Sequence, residues 1–228
     1  MKSATWPRLV HGLLVLALPI AMLVFSIRAT TGHWFVQWEY HKPDFPPDPY
    51  GLSTAERVRL AQVCVDYLSS SAPLSLLADL RLPGGGPAFN ARELRHMADV
   101  QAVYDSLTAG GIIALAALLG VTAALLASPH SRRRAPTALF QGSLLTIGLL
   151  AAVGAYMILN WNDFFTTFHH LFFEGDSWLF LHTDTLIRLF PVRFWMDVAA
   201  VIVSLLMLLT IAVGIGSWMW MRCSRSKR

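Results

Sequence analysis

The sequence predicts an all-α membrane protein: a single integral membrane domain over 1–228, with four transmembrane helices, N-in/C-in, and two extracytoplasmic segments containing interfacial helices. Three observations lead there. Of the 228 residues 55% are hydrophobic and only 14% charged, with mean hydropathy +0.50, whereas a soluble domain carries about 25% charged residues. The same numbers exclude a disordered chain, a nucleic-acid-binding domain and a disulfide-stapled secreted module. Four charge-free stretches, about 9–27, 107–127, 138–159 and 198–220, match the roughly 20 residues that a hydrocarbon core demands. Finally, the charges are sorted. Lys2, Arg8, Arg132–Arg134, Arg222, Arg225, Lys227 and Arg228 are accompanied by no acid, whereas segments 28–106 and 160–197 hold all 14 acids and nine basic residues. The positive-inside rule places the termini and Arg132–Arg134 in the cytoplasm and the two larger segments outside.

The first span has a basic start, an apolar core and a proline, Pro19, expected to kink it. Ile27-Arg28-Ala29 is a poor small-x-small cleavage site, so a retained signal anchor is expected. Trp34, Phe35, Trp38 and Tyr40 then form an aromatic cluster suited to headgroup depth. Four prolines within 42–50 predict a stiff, extended run. Ser53 and Glu56 make a capping box. Leu60, Val63, Cys64, Tyr67 and Leu68 follow at i, i+3, i+4, i+7 and i+8, one apolar helix face that makes Cys64 a packed thiol. Cys64 outside and Cys223 inside cannot pair within one chain, and no lipobox cysteine marks the N-terminal region for lipidation.

Pro83-Gly84-Gly85-Gly86-Pro87 is followed by no Lys-Ser/Thr and predicts a flexible hinge rather than a phosphate loop. Asn90 and Glu93 repeat the capping pattern. The helix from about Ala91 has an apolar stripe (Leu94, Met97, Val100, Tyr104, Leu107) and sets Glu93, His96 and Asp99 at i, i+3, i+6. It is expected to lie along the outer surface before the chain turns inward near Gly110-Gly111. Gly110 and Gly120 in the second span, and Gly142, Gly148 and Gly154 in the third, read as close-packing positions. The absence of charge within the spans argues against ion-coupled transport or voltage sensing. Segment 160–197 is too aromatic for a simple exposed loop and too polar to cross. An interfacial or partly re-entrant segment is expected, its last short helix ended by Pro191.

Chemistry is therefore expected at the outer interface, where six of the eight histidines lie. Histidine, with a reference pKa of about 6.5, is the default acid–base residue there. Asp99 is positioned to orient His96; the plainer alternative pairs Asp99 with Arg95. Of His169 and His170, adjacent and differently directed, one at most shares a site with His96. Zinc held by three histidines with Glu174 or Asp176 is the metal alternative, but no H-E-x-x-H or paired ligand spacing supports it. No G-x-S-x-G elbow supports a serine hydrolase. Trp34, Trp38, Trp161, Trp178 and Trp195 read as an aromatic belt. No metal and no cofactor is expected.

Three blocks carry a family resemblance: Tyr50-Gly-Leu-Ser-Thr-Ala-Glu-Arg57; Glu93-Leu-Arg-His-Met-Ala-Asp-Val100; and Phe168-His-His-Leu-Phe-Phe173 with Trp178-Leu-Phe180 and Asp184-Thr-Leu-Ile-Arg-Leu-Phe-Pro191. In order and spacing the chain resembles the bacterial lipoprotein intramolecular transacylases, small four-helix membrane proteins. The resemblance implies that the sn-2 acyl chain of a diacylglyceryl-modified lipoprotein moves to the α-amine of its N-terminal cysteine, giving the lyso form, in the bacterial cytoplasmic membrane with the site facing outward. It implies functional roles for His96 and His169, with His170 at a more variable position. The implied partners are the lipoprotein substrate and membrane lipids, with no nucleic acid. Arg188 is a candidate oxyanion stabiliser, or an i,i+4 partner of Asp184. Alternatives are a phospholipid-dependent acyltransferase or hydrolase, and a non-enzymatic lipoprotein-binding or assembly protein.

Overall fold

The computed structural model describes residues 6–128 and 131–226, so Lys2, Lys227 and Arg228 of the charge map lie outside the described residues. The elements of the described chain are helices joined by turns and loops: α1 (Trp6–Thr30), α2 (His33–Tyr40), α3 (Thr54–Ser69), α4 (Ser75–Ala78), α5 (Ala91–Ala127), α6 (Arg134–Leu159), α7 (Trp161–Phe172), α8 (Thr185–Leu189) and α9 (Val192–Ser226). Helices α1, α5, α6 and α9 are long and apolar enough to cross a membrane. The chain divides into two compact units, one of residues 1–27, 108–159 and 202–228, the other of 28–107 and 160–201.

The first unit consists of apolar helix in which hydroxyls are bonded back to their own backbone. Ser143 donates to Leu139 O at 2.9 Å, Thr146 to Gly142 O at 2.8 Å and Thr210 to Leu206 O at 2.6 Å. In a medium without water, this i−4 bond is how a hydroxyl avoids desolvation cost. Leu14, Leu18, Met22 and Leu206 are buried, whereas Leu16, Ile20, Ile113, Leu119, Leu149 and Ile215 face outward. An outward apolar coat of that extent needs hydrocarbon around it.

Two glycines set the helix spacing in this unit. A Cβ on Gly111 would stand 2.4 Å from Val24 Cγ1, and one on Gly142 would stand 2.9 Å from Leu18 Cδ2. The packing expectation fails for Gly110, Gly120, Gly148 and Gly154, which face open space. Nor does the chain turn at Gly110-Gly111: α5 runs unbroken for 37 residues. Gly costs a helix only about 1 kcal/mol relative to Ala, which is too little to end so long an apolar run. Helix α1 holds Pro19 within its length.

The second unit is built from caps and short helices. Ser53 Oγ accepts from Glu56 N at 3.3 Å while Ser53 N donates to Glu56 Oε2 at 2.9 Å, the full capping box. The predicted α3 face is in place, with Leu60, Cys64 and Tyr67 packed against Leu77, Phe89, Met97 and Leu189. Burial pushes the Cys64 thiol far up, so it is inert.

Two loop expectations are corrected. Segment 83–87 is a closed turn: Leu82 N donates to Gly86 O and Gly85 N to Leu82 O, both at 2.9 Å, with Gly85 at φ +85°. Glycine serves there to reach a left-handed angle rather than to confer freedom. Segment 42–50 is not extended throughout. Lys42 N donates to Glu39 O and Phe45 N to Lys42 O, both at 3.2 Å, and the bend places Asp48 to accept from Tyr50 N at 3.2 Å and Leu52 N at 2.7 Å.

Segment 160–197 folds as the amphipathic helix α7, a turn, and the five-residue α8, which stops before Pro191 as expected. Helix α9 begins directly after that proline.

Candidate active site

Two helices of the second unit carry the histidines. Asn90 Oδ1 accepts from Arg92 N at 3.0 Å and Glu93 N at 3.1 Å, while Asn90 N donates to Glu93 Oε2 at 2.8 Å, so the start of α5 is capped. The other oxygen of the buried Glu93 carboxylate accepts from Leu186 N at 2.7 Å and ties α8 to α5. Sequence reasoning saw only the cap, because nothing local reveals a bond spanning 93 residues. His96 follows one turn later. Helix α7 is capped by Asn160, whose side chain accepts from Asp163 N at 3.2 Å, and carries His169 in its last turn.

The His96 and His169 rings lie nearly parallel, centroids 6.3 Å apart at 21°, and both residues are 9% exposed. Aromatic side chains enclose them. Phe173 and Phe180 lie 4.9 and 5.3 Å from the His96 ring, and Phe165 and Trp178 lie 4.2 and 4.6 Å from that of His169. The spacing Phe165, His169, Phe173 was visible as consecutive i+4 steps on one helix face. The approach of Phe173 and Phe180 to His96 was not, since it joins distant segments.

His169 Nδ1 lies 2.7 Å from Phe165 O. A carbonyl oxygen can only accept, so the neutral ring carries its proton on Nδ1 and presents a lone pair on Nε2. Burial pulls the His169 pKa below the ordinary histidine value of 6.5, opposed by the Phe165 bond and assisted by His170. The imidazole is therefore neutral at neutral pH and competent as a base. Two further polar atoms beside these rings, His96 Nδ1 and Trp178 Nε1, are buried with no partner among the described residues. Buried polar groups are nearly always satisfied in native folds, which singles out these two atoms.

The other expected site residues separate into those drawn into the structure around the pocket and those left out. His170 is exposed, its ring edge-on to Trp178 at 5.6 Å. The structure does not place Asp99 on His96: Asp99 is exposed, and no bond joins it to His96 or to Arg95 among the described residues. The i,i+3 spacing, about 60° round the helix, allows a contact, but His96 is turned into the buried side of α5 while Asp99 is exposed. The Asp184–Arg188 pair is also corrected. Asp184 instead accepts from Arg92 Nη2 at 2.6 Å, Asn90 Nδ2 at 3.0 Å and Leu181 N at 2.8 Å, bracing the entry to α8. Arg188 gives Nε and Nη2 to the two oxygens of Asp48 at 3.1 and 2.9 Å. Burial alone would raise the Asp48 carboxyl, but Arg188 and the Leu52 N–H hold it below the usual carboxylate range. Trp178 departs from the belt expected of it, since its indole N–H is buried while Trp34, Trp38 and Trp195 are exposed. Among the described residues, no three His, Cys, Asp or Glu side chains gather as a metal would require.

Fold and site together define a class: an all-helical integral membrane protein with a pair of buried, nearly parallel histidines. A family model for the lipoprotein intramolecular transacylase Lit matches residues 12–195, and the chain belongs to that family. It is thus a membrane acyltransferase acting on lipoproteins. The chain is 29% identical over 194 residues to an uncharacterised protein of Aquifex aeolicus, covering 83% of this chain and 84% of the relative. The structure of the Lit transacylase from Bacillus cereus superposes with a TM-score of 0.83 at 21% identity, over 99% of this chain and all of the other. Two structures of that protein with single histidine replacements match at TM-scores of 0.79 and 0.78, covering 98% and 97% of this chain and 96% of theirs, at 21% and 22% identity.

Proposed function

We propose that the chain transfers the sn-2 acyl group of a diacylglyceryl-modified lipoprotein to the α-amine of its N-terminal cysteine, using His96 and His169 as an acid–base pair on the outer side of the bacterial cytoplasmic membrane. The observation that carries this reading is the pair itself, two stacked imidazoles in an aromatic enclosure with His169 Nε2 available as a base. An α-amine has a pKa of about 7.7–8.0 and must lose a proton to become nucleophilic. One imidazole removes that proton as the amine attacks the ester carbonyl, and imidazolium protonates the departing sn-2 oxygen. One C–O bond breaks, one C–N bond forms, and the proton moves from nitrogen to oxygen, so the reaction needs neither water nor a cofactor. Nucleophile and ester belong to one molecule, so the gain from proximity is already present in the substrate.

The indole N–H of Trp178, buried and without an acceptor beside His169, is a donor for the oxyanion of the tetrahedral intermediate. Asp184 and Glu93 act as positioning residues, holding α8 against the start of α5. The outward orientation rests on the charge map: both segments that form the histidine unit contain acids, and the remaining segments contain none.

The test uses purified protein and a synthetic diacylglyceryl lipopeptide without added phospholipid, read by tandem mass spectrometry. The expected result is an unchanged parent mass with one acyl group moved to the N-terminal fragment. His96→Ala and His169→Ala should each lose about 10²–10⁴-fold in rate while still folding. A mass gain that depends on added phospholipid would replace this reading with an intermolecular acyltransferase. No reaction from folded protein under either condition would leave a binding factor.

A further inference from the structure

The second unit also contains a cavity of about 420 Å³ whose walls include Pro46, Pro49, Tyr50, Arg57, His182 and Arg188, and neither catalytic histidine. Two guanidiniums stand in its wall, those of Arg57 and Arg188. Asp48 is fully engaged by Arg188 and the amides of Tyr50 and Leu52. Arg57 feels the charge of Asp48 but forms no ion pair among the described residues: it is 3% exposed, gives Nη1 to Pro46 O at 2.8 Å, and its Nε is buried with no acceptor among them. The Tyr40 and Phe45 rings, 4.9 and 5.0 Å from its guanidinium carbon, hold it in place. No Asp or Glu lines the cavity, and the exposed His182 adds a further donor at its wall. A buried guanidinium that makes one hydrogen bond out of five available N–H groups is an incomplete site. Its planar fork matches the oxygens of a phosphate. The wall is already rigid, through proline φ angles and the Asp48 amide bonds, so little ordering remains for binding to impose.

We propose that this cavity binds a phosphate group, carried either by an anionic phospholipid headgroup or by a soluble phosphate ester. The site is independent of the acyl-transfer reading, and its test does not measure acyl transfer. Purified full-length protein in a nonionic detergent is titrated calorimetrically with short-chain phosphatidylglycerol, short-chain phosphatidylcholine and glycerol 3-phosphate. The expected result is saturable binding of phosphatidylglycerol or glycerol 3-phosphate that weakens with salt. It should be at least about tenfold weaker in Arg57→Gln and in His182→Glu. Arg59→Gln, an exposed arginine outside the cavity, should bind as the wild type does. His182→Glu alters only an exposed side chain, so the test survives if Arg57→Gln fails to fold. Tight binding of the lipid alone assigns a headgroup site, and equal binding of glycerol 3-phosphate assigns a soluble anion. Absence of saturable binding to the wild type, or unchanged affinity in His182→Glu together with any folded Arg57→Gln, overturns the proposal.

Discussion

His169 sits under opposing influences whose balance sets its protonation. Burial disfavours its imidazolium, the Phe165 carbonyl favours it, and His170 disfavours it again, leaving the pKa below 6.5. Between that lowered value and pH 6.5 an ordinary histidine is mostly protonated, whereas His169 still offers its lone pair. The acidic limb of kcat/KM for lipopeptide rearrangement should therefore have its midpoint below 6.5, and a midpoint at or above that value would remove His169 as the base. Trp178 provides a second test at this scale. Trp178→Phe keeps an aromatic ring beside His169 and deletes the buried N–H. If that N–H binds the oxyanion, kcat should fall about 10²-fold with a much smaller change in KM. A loss confined to KM would make Trp178 a packing residue.

At the scale of elements, α5 is one uninterrupted helix that carries His96 near its start and a membrane-length apolar stretch beyond it. Its two adjacent glycines make a controlled comparison. Gly111 is pressed against Val24, whereas Gly110 faces open space. Gly110→Ala should leave the Tm of the purified protein unchanged or raised, because alanine is the better helix former by about 1 kcal/mol. Gly111→Ala should lower it, overpacking costing about 1–3 kcal/mol, and Val24→Ala in the same molecule should restore much of the loss. Equal effects at the two glycines would show that helix propensity, not spacing, governs this stretch.

For the whole molecule, the sorting of charge makes a prediction about sidedness. Cys64 is 2% exposed and Cys223 exposed, so a membrane-impermeant maleimide should not label intact cells and should label Cys223 once the membrane is opened. Glu174→Cys, at an exposed position in segment 160–197, should be labelled in intact cells if the charge map sets the orientation. Labelling of Cys223 from outside would invert the topology and place the histidine pair on the cytoplasmic side.

The spans, the capping boxes at Ser53 and Asn90, the α3 face and the stop before Pro191 were all legible in the chain. Each depends on residues within a few turns of one another, through helix periodicity, cap chemistry or the cost of charge in hydrocarbon. His96 and His169 stand out in the chain through the family motifs that hold them. That their rings lie parallel, 6.3 Å apart, follows from packing between segments more than sixty residues apart. The misreadings share this cause. Asp184 was given the partner four residues away, yet Arg188 went to Asp48, which a bend 140 residues earlier delivers. Segment 83–87 was assigned freedom from its composition, and cross-turn hydrogen bonds closed it. Local pattern determines which helices form and which faces are apolar, because those energies arise within a turn or two. Partner choice for buried polar groups belongs to the tertiary structure, because desolvation makes an unsatisfied group costly and the nearest partner in space need not be the nearest in sequence.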